Sequence, residues 1–276
     1  MDYSASSSFD SKSITTLRLQ EMKKSGIKIV CLTAYDALIS RILDECGIDV
    51  ILVGDSLGNI VQGNETTLSV TLEETIYHTK AVVKGAKRPL IIADMPFMTF
   101  QVSADEAFRN AGRIMKETGC AGVKLEGASD NILQGLPRMT ESGRYVMGHL
   151  GLTPQSINKF GSYRARGKEE KEAEKIFEDA QKLQEAGAFA IVLEKIPAEL
   201  GKKITESLSI PTIGIGAGPY CDGQILVYTD MLGLTVDFNP RFVRRYAYLN
   251  DEIKLAVKNY IEDVKNQDFP SMEESY

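Results

Sequence analysis

The sequence predicts an α/β fold closed into a (β/α)8 barrel, with a helix at its N-terminus. Three observations predict it. Short apolar runs rich in β-branched residues alternate with amphipathic runs of helical spacing, the mark of βαβ units and a parallel sheet. Eight strand-like runs can be counted, the number a closed barrel requires. The 276 residues match one such barrel, and no linker-like stretch divides them. A doubly wound open sheet is the alternative, because periodicity alone does not close a barrel.

The elements follow in order. MDYSASSSFDSK is polar and reads as a mobile tail over residues 1–12. Residues 13–24 carry Ile14, Leu17, Leu19 and Met22 at helical spacing, and Gly26 stops that helix. KIVCLTAYD (28–36) is the first strand, and ALISRILDECG (37–47) a helix ending at Gly47. DVILVGD (49–55), PLIIADM (89–95) and AGVKLEG (121–127) are strands. They are separated by the helices LEETIYHTKAVVKG (72–85) and ADEAFRNAGRIMKETG (104–119). A short helix from Ile132 leads to the strand RYVMGHLG (144–151). KEAEKIFEDAQKLQEAG (171–187) is a helix, FAIVLEK (189–195) a strand and PAELGKKITESL (197–208) a helix. IPTIGIGAG (210–218) is the seventh strand, and GQILVYTD (223–230) is the candidate for the eighth. One barrel domain is therefore expected over 13–265, with a polar tail over 266–276.

With 43% apolar and 25% charged residues the composition is that of a soluble globular chain. A formal net charge of −6 argues against nucleic acid as a partner. Cys31, Cys46, Cys120 and Cys221 form no CxxC pair or close cluster, so neither a disulfide framework nor a zinc site is expected. Reduced thiols and a start lacking a basic, apolar signal region suggest a cytoplasmic protein. No apolar run approaches the ~20 residues of a membrane helix, so no membrane role is expected.

Four strand-like runs end in an acid: Asp55, Asp94, Glu126 and Glu194. In a parallel barrel all strands end at one face, where active sites sit, so these carboxylates are expected to converge. Converging like charges raise one another's pKa unless compensated. A divalent cation held by hard oxygen ligands would compensate, and one acid kept apart could move protons. Lys124, two residues before Glu126 on one strand, faces the same side and could hold a substrate carboxylate or an oxyanion. Capping of the next helix accounts for any one acid taken alone; four at comparable positions favour a site.

His149 ends a strand and could reach the rim, whereas His78 lies within a helix as a surface or core residue. GDSLG is like the opening of GDSL hydrolases, but no DxxH follows and no histidine lies after His149. Ser56 is better read as offering its hydroxyl or amide to an anionic substrate. GIGAG fails the GxGxxG pattern, with Pro219 in the last position. Residues 151–170 read as a long loop, a lid by length, or simply a solvated connection. Its Lys159, Arg164, Arg166 and Lys168 could attract an anionic cosubstrate.

TAYDA, ILVGDSLGNIVQG, TLEETIYHTKAVVKGA, IIADMPFMTF, GVKLEG, VMGHLGLTPQS, VLEKIP and IPTIGIGAG occur in this order over residues 33–234. Together they resemble the ketopantoate (3-methyl-2-oxobutanoate) hydroxymethyltransferases over most of the chain. The resemblance implies a barrel of the phosphoenolpyruvate/pyruvate type. It also implies transfer of the methylene of 5,10-methylenetetrahydrofolate to 3-methyl-2-oxobutanoate in pantothenate synthesis, and a homodecamer. By the same resemblance Asp55 and Asp94 hold Mg2+, and Glu126 completes the metal environment directly or through water. By that resemblance the oxo acid is bound by Ser56 and Lys124 together with Asp55, Asp94 and His149, and Glu194 is the proton acceptor. The residue types agree: a 2-oxo acid chelates Mg2+, which stabilises its enolate as a Lewis acid, and a carboxylate off the metal remains free as a base. A lyase of the same superfamily would be expected to bring a reactive cysteine or equivalent acid on a mobile loop. No cysteine lies in 151–170.

Overall fold

Parallel pairing in unbroken chain order closes eight strands into a barrel. They are β1 (Ile29–Thr33), β2 (Val50–Val53), β3 (Leu90–Asp94), β4 (Gly122–Glu126), β5 (Tyr145–Gly151), β6 (Ala190–Glu194), β7 (Thr212–Ile215) and β8 (Gly223–Leu226). The Ile29 amide donates to the Asp222 carbonyl at 3.0 Å, next to where β8 meets β1. This computed structural model describes residues 12–276; the tail expected over 1–12 lies, except for Lys12, outside the described residues. The open-sheet alternative is excluded.

The helices are α1 (Thr16–Lys24), α2 (Ala37–Glu45), α3 (Leu57–Ile60), α4 (Leu72–Gly85), α5 (Ala104–Thr118), α6 (Asp130–Glu141), α7 (Ile157–Phe160), α8 (Glu170–Glu185), α9 (Ala198–Ser207), α10 (Tyr228–Met231) and α11 (Leu249–Asn266). Their starts follow from local chemistry. Thr71 and Glu74 form a reciprocal capping box on α4, and the Ser103 hydroxyl accepts from the Glu106 amide on α5. Gly119, in the left-handed conformation, ends α5.

Several boundaries differ from expectation. The first strand ends at Thr33, because Asp36 turns to accept from the Ile39 amide and caps α2. The stretch 151–170 is not wholly irregular: a 3-10 turn at Pro154–Ser156 leads into α7. No helix joins β7 to β8, so the eighth unit departs from strict strand–helix alternation. The helix α11 has no counterpart among the expected elements.

Strand alternation sorts the core into two layers. Leu90, Ile92, Met147, Val192 and Ile213 pack together with Leu19 and Met22 of α1, which places α1 against the barrel interior. The opposite parity, including Ile91, Ala93, Val123 and Leu193, packs with Ile76, Ala107, Leu136 and Leu183 of the surrounding helices. The described chain falls into two compact units, one up to Ile225 and a second over Leu226–Tyr276. Within the second unit α11 buries none of its residues. Among the described residues no helix is long and apolar enough to cross a membrane.

Candidate active site

The inward parity of the strands continues past the apolar layer into charge. Two residues beyond Ile92 stands Asp94, beyond Met147 stands His149, and beyond Val192 stands Glu194; Lys124 and Glu126 occupy the same row of β4. Register then brings neighbours together. Asp94 is opposite Lys124 across β3–β4, and Glu126 is opposite His149 across β4–β5. Asp55 arrives differently, from the turn just past β2, where its own amide donates to Asp94 Oδ2 at 3.4 Å.

All six expected charged groups thus meet at the C-terminal rim. Lys124 Nζ lies 2.8 Å from Asp94 Oδ2 and 3.7 Å from Glu126 Oε1. His149 Nδ1 lies 3.2 Å from Lys124 Nζ and 3.4 Å from Glu126 Oε1, and its Nε2 lies 3.3 Å from Glu194 Oε2. The contact at Nε2 has charge-pair distance without the alignment of a hydrogen bond. Asp55, Asp94 and Glu126 each present an oxygen within 4.8 Å of the others. Glu194 is not part of that trio, and its side chain retains 16% exposure where Asp94 has 2%.

None of the four acids caps a helix, so the capping alternative fails for them: the cap positions of α3, α5, α6 and α9 are Ser56, Ser103, Ser129 and Pro197. Burial, then Asp94 and Glu126, push the Asp55 carboxyl well above its usual range, with Lys124 and Gln155 offsetting part of that. Burial also raises Asp94, against the opposing pull of Lys124. Glu126 goes the other way: burial opposes its charge, but Lys124, His149 and the Gln155 amide together hold it low. Burial disfavours charge on Lys124 too, yet Asp94, Glu126 and Asp55 outweigh it and raise its pKa. For His149, burial and Lys124 oppose protonation; Glu126 and Glu194 prevail and push it up to about 9.

The donor set suits a hard divalent cation. Asp94 Oδ1 is buried and has no hydrogen-bond partner among the described residues, so its lone pairs are unsatisfied. Four acids share the pocket with one lysine and one histidine, and a cation would offset the burial and mutual repulsion that hold Asp55 and Asp94 up. Oxygen ligands without thiolate favour a magnesium-like ion over zinc.

The remaining candidates resolve as follows. Ser56 lies beside Asp55, and its hydroxyl bonds the Tyr35 hydroxyl at 2.8 Å rather than a histidine, which removes support for a hydrolase triad. His78 bonds the Tyr35 carbonyl through Nδ1 at 2.7 Å, a structural role in the β1–α2 turn. GIGAG runs into β8 rather than a helix, so no helix start is there to bind a pyrophosphate. Arg166 is occupied by an ion pair with Glu172 and by stacking on the Phe160 ring at 4.2 Å. Two site residues lay outside the charge-based search. Tyr35 in TAYDA and Gln155 in GLTPQS are uncharged, but each follows a strand end closely, and that position was the available signal.

Comparison with known proteins adds independent findings. The family profile described as ketopantoate hydroxymethyltransferase matches residues 13–272. Proteins named 3-methyl-2-oxobutanoate hydroxymethyltransferase are similar along nearly their whole length. Those from Chlorobium phaeobacteroides and Chlorobaculum tepidum are each 57% identical over 95% of this chain and 96% of their own. The one from Porphyromonas gingivalis is 54% identical, covering 97% of both. Among solved structures, a phosphonopyruvate hydrolase complex with oxalate and Mg2+ superposes with TM-score 0.61 at 11% identity, over 95% of this chain and 93% of that one. A 2,3-dimethylmalate lyase of the PEP mutase/isocitrate lyase superfamily gives 0.60 at 14%, over 94% and 90%. At such identities these two report the fold alone, a closed (β/α)8 barrel.

Proposed function

The chain belongs to the ketopantoate hydroxymethyltransferase family, and from that premise we propose how its rim residues divide the work. The activity is transfer of a hydroxymethyl group to 3-methyl-2-oxobutanoate, forming 2-dehydropantoate in pantothenate biosynthesis. The one-carbon donor is a reduced folate, 5,10-methylenetetrahydrofolate, and the metal is Mg2+.

One observation carries the assignment of roles: three acids crowd within 4.8 Å while the fourth stands apart across His149. Asp55 and Asp94 would hold the ion, with Glu126 beside them, and the unpartnered Asp94 Oδ1 supports that role. Glu126 already accepts from Gln155 and faces Lys124 and His149, which suits contact through water. Mg2+ bound there supplies Lewis-acid polarisation of the 2-oxo acid. Lys124 neutralises negative charge on that substrate, and Ser56 offers its hydroxyl and amide to the carboxylate. Glu194 accepts the proton from C3, next to the ketone, and His149 Nε2, 3.3 Å from its Oε2, holds that carboxylate in place. The folate methylene is held by two carbon–nitrogen bonds: one opens as C3 bonds to that carbon, and water displaces the other nitrogen and supplies the hydroxyl. The two released nitrogens take up the proton accepted by Glu194 and one proton of the water, which gives tetrahydrofolate.

Glu194→Gln tests the assignment. It should keep Mg2+ and oxo-acid affinity but lose exchange of the C3 proton in D2O, followed by NMR. Wild-type exchange in that variant would place the base elsewhere. Assembly as a homo-oligomer, a decamer by family analogy, in the cytoplasm belongs to the same proposal. Half or more of Ile253, Leu255, Val257 and Tyr260 on α11 is exposed, which supports association. A monomeric mass by light scattering would reject it.

A further inference from the structure

We propose that Gln155 is a positioning residue that sets the geometry of the metal-binding acids and ties them to the β5–α8 connection. The inference rests on the metal reading above.

Gln155 sits in the 3-10 turn just beyond β5 and is 5% exposed. Its side-chain Nε2 donates to Asp55 Oδ2 at 3.0 Å and to the Met95 carbonyl at 2.9 Å. Its backbone amide donates to Glu126 Oε2 at 2.9 Å. One residue therefore contacts two of the three clustered acids, and the chain segment directly after the third, Asp94.

The orientation of that side chain is itself determined. Both Nε2 hydrogens face acceptors, while Oε1 accepts from Gln101 Nε2 at 3.0 Å. Turning the amide over would set oxygen against the Asp55 carboxylate and the Met95 carbonyl, and nitrogen against the Gln101 donor. Gln101 is anchored in turn, its carbonyl accepting from Asn131 Nδ2 at the start of α6.

The role is not one a generic buried polar residue would fill. Gln155 gives neutral donors to carboxylates whose mutual repulsion would otherwise spread them. It adds no charge to the cluster, which leaves the divalent ion as the compensating cation. Partners that orient metal ligands in this way contribute about 10- to 100-fold to metal affinity. Because the same residue lies in the β5–α8 connection, holding the acids and holding that connection are one equilibrium.

The test is titration of the metal alone, Mg2+ or Mn2+, into chelator-treated full-length protein by calorimetry, with hydrogen exchange of residues 152–168 followed in parallel. Gln155→Leu should bind roughly 10- to 100-fold more weakly, exchange faster in that segment, and regain turnover as Mg2+ is raised. A purely structural role would not respond to metal concentration. Gln101→Leu touches none of the acids and should shift affinity in the same direction by a smaller factor; it serves if Gln155→Leu does not fold. Wild-type affinity in either folded variant overturns the proposal. If the wild-type protein itself binds neither ion, the metal reading fails instead.

Discussion

Gly151→Ala is a sharp probe of the rim because it adds a single methyl group and changes no charge. Gly151 lies opposite Glu194 in the β5–β6 register and adopts φ +95°. A Cβ there would stand 2.2 Å from the Glu194 carbonyl oxygen and 2.8 Å from Ile196 Cγ2. To reach an acceptable carbon–oxygen contact, the backbone of Glu194 must retreat by about 1 Å. Left-handed strain of ~1–2 kcal/mol adds to an overpacking cost of ~1–3 kcal/mol, so a stability loss of about 2–5 kcal/mol is expected. The larger consequence is catalytic, since a displacement of that size at a reacting group costs on the order of 100-fold in turnover. Asp55 and Asp94 are not touched, so Mg2+ affinity should hold. The assay is kcat for hydroxymethyl transfer, at a temperature well below the measured Tm, beside a Mg2+ titration. Turnover within twofold of wild type in a variant with the expected loss of Tm would refute the placement of the base at Glu194.

Lys124→Met removes the one lysine from a cluster of buried acids. In chelator at neutral pH the variant should be less stable by about 3–5 kcal/mol, measured by urea unfolding, and Mg2+ should restore more stability to it than to wild type. Equal stability of the two metal-free proteins would show that the acids take up protons at no cost. The pH dependence of the metal-free protein should carry the signature of His149. Its folded pKa of about 9 exceeds the ordinary 6.5, so its contribution is complete below 6.5 and is lost as pH rises through about 9. His149→Gln should flatten that slope between pH 6.5 and 9; an unchanged slope would mean the histidine is neutral in the folded chain.

The barrel and most of its rim were legible because both rest on short-range pattern. Two-residue alternation identified the strands, and an acid at the end of an apolar run marked Asp94, Glu126 and Glu194 without knowledge of neighbours. Asp36 ends its run in the same way but caps α2, and no local signal separates it from Asp55. The difference lies in which side chains the closed barrel brings opposite, a long-range property. Gln155 escaped because its function depends on three loops meeting, and an amide carries no charge pattern. The helical turns α3 and α7 are too short for periodicity to register. The apolar spacing of α11 is readable, but α11 lies beyond the last strand-ending motif and delivers no residue to the rim cluster.

The site inherits its aim from the pleat. Because Asp94, His149 and Glu194 extend rows of buried aliphatic side chains, chain length in each strand determines which way chemistry points. Excising one residue ahead of Asp94 would rotate its carboxylate into the greasy sleeve beneath the helices, while excising two would sink it one storey into the barrel. Insertions and deletions in this architecture are therefore confined to the turns, and the distance from barrel floor to reaction chamber is quantised in steps of two residues.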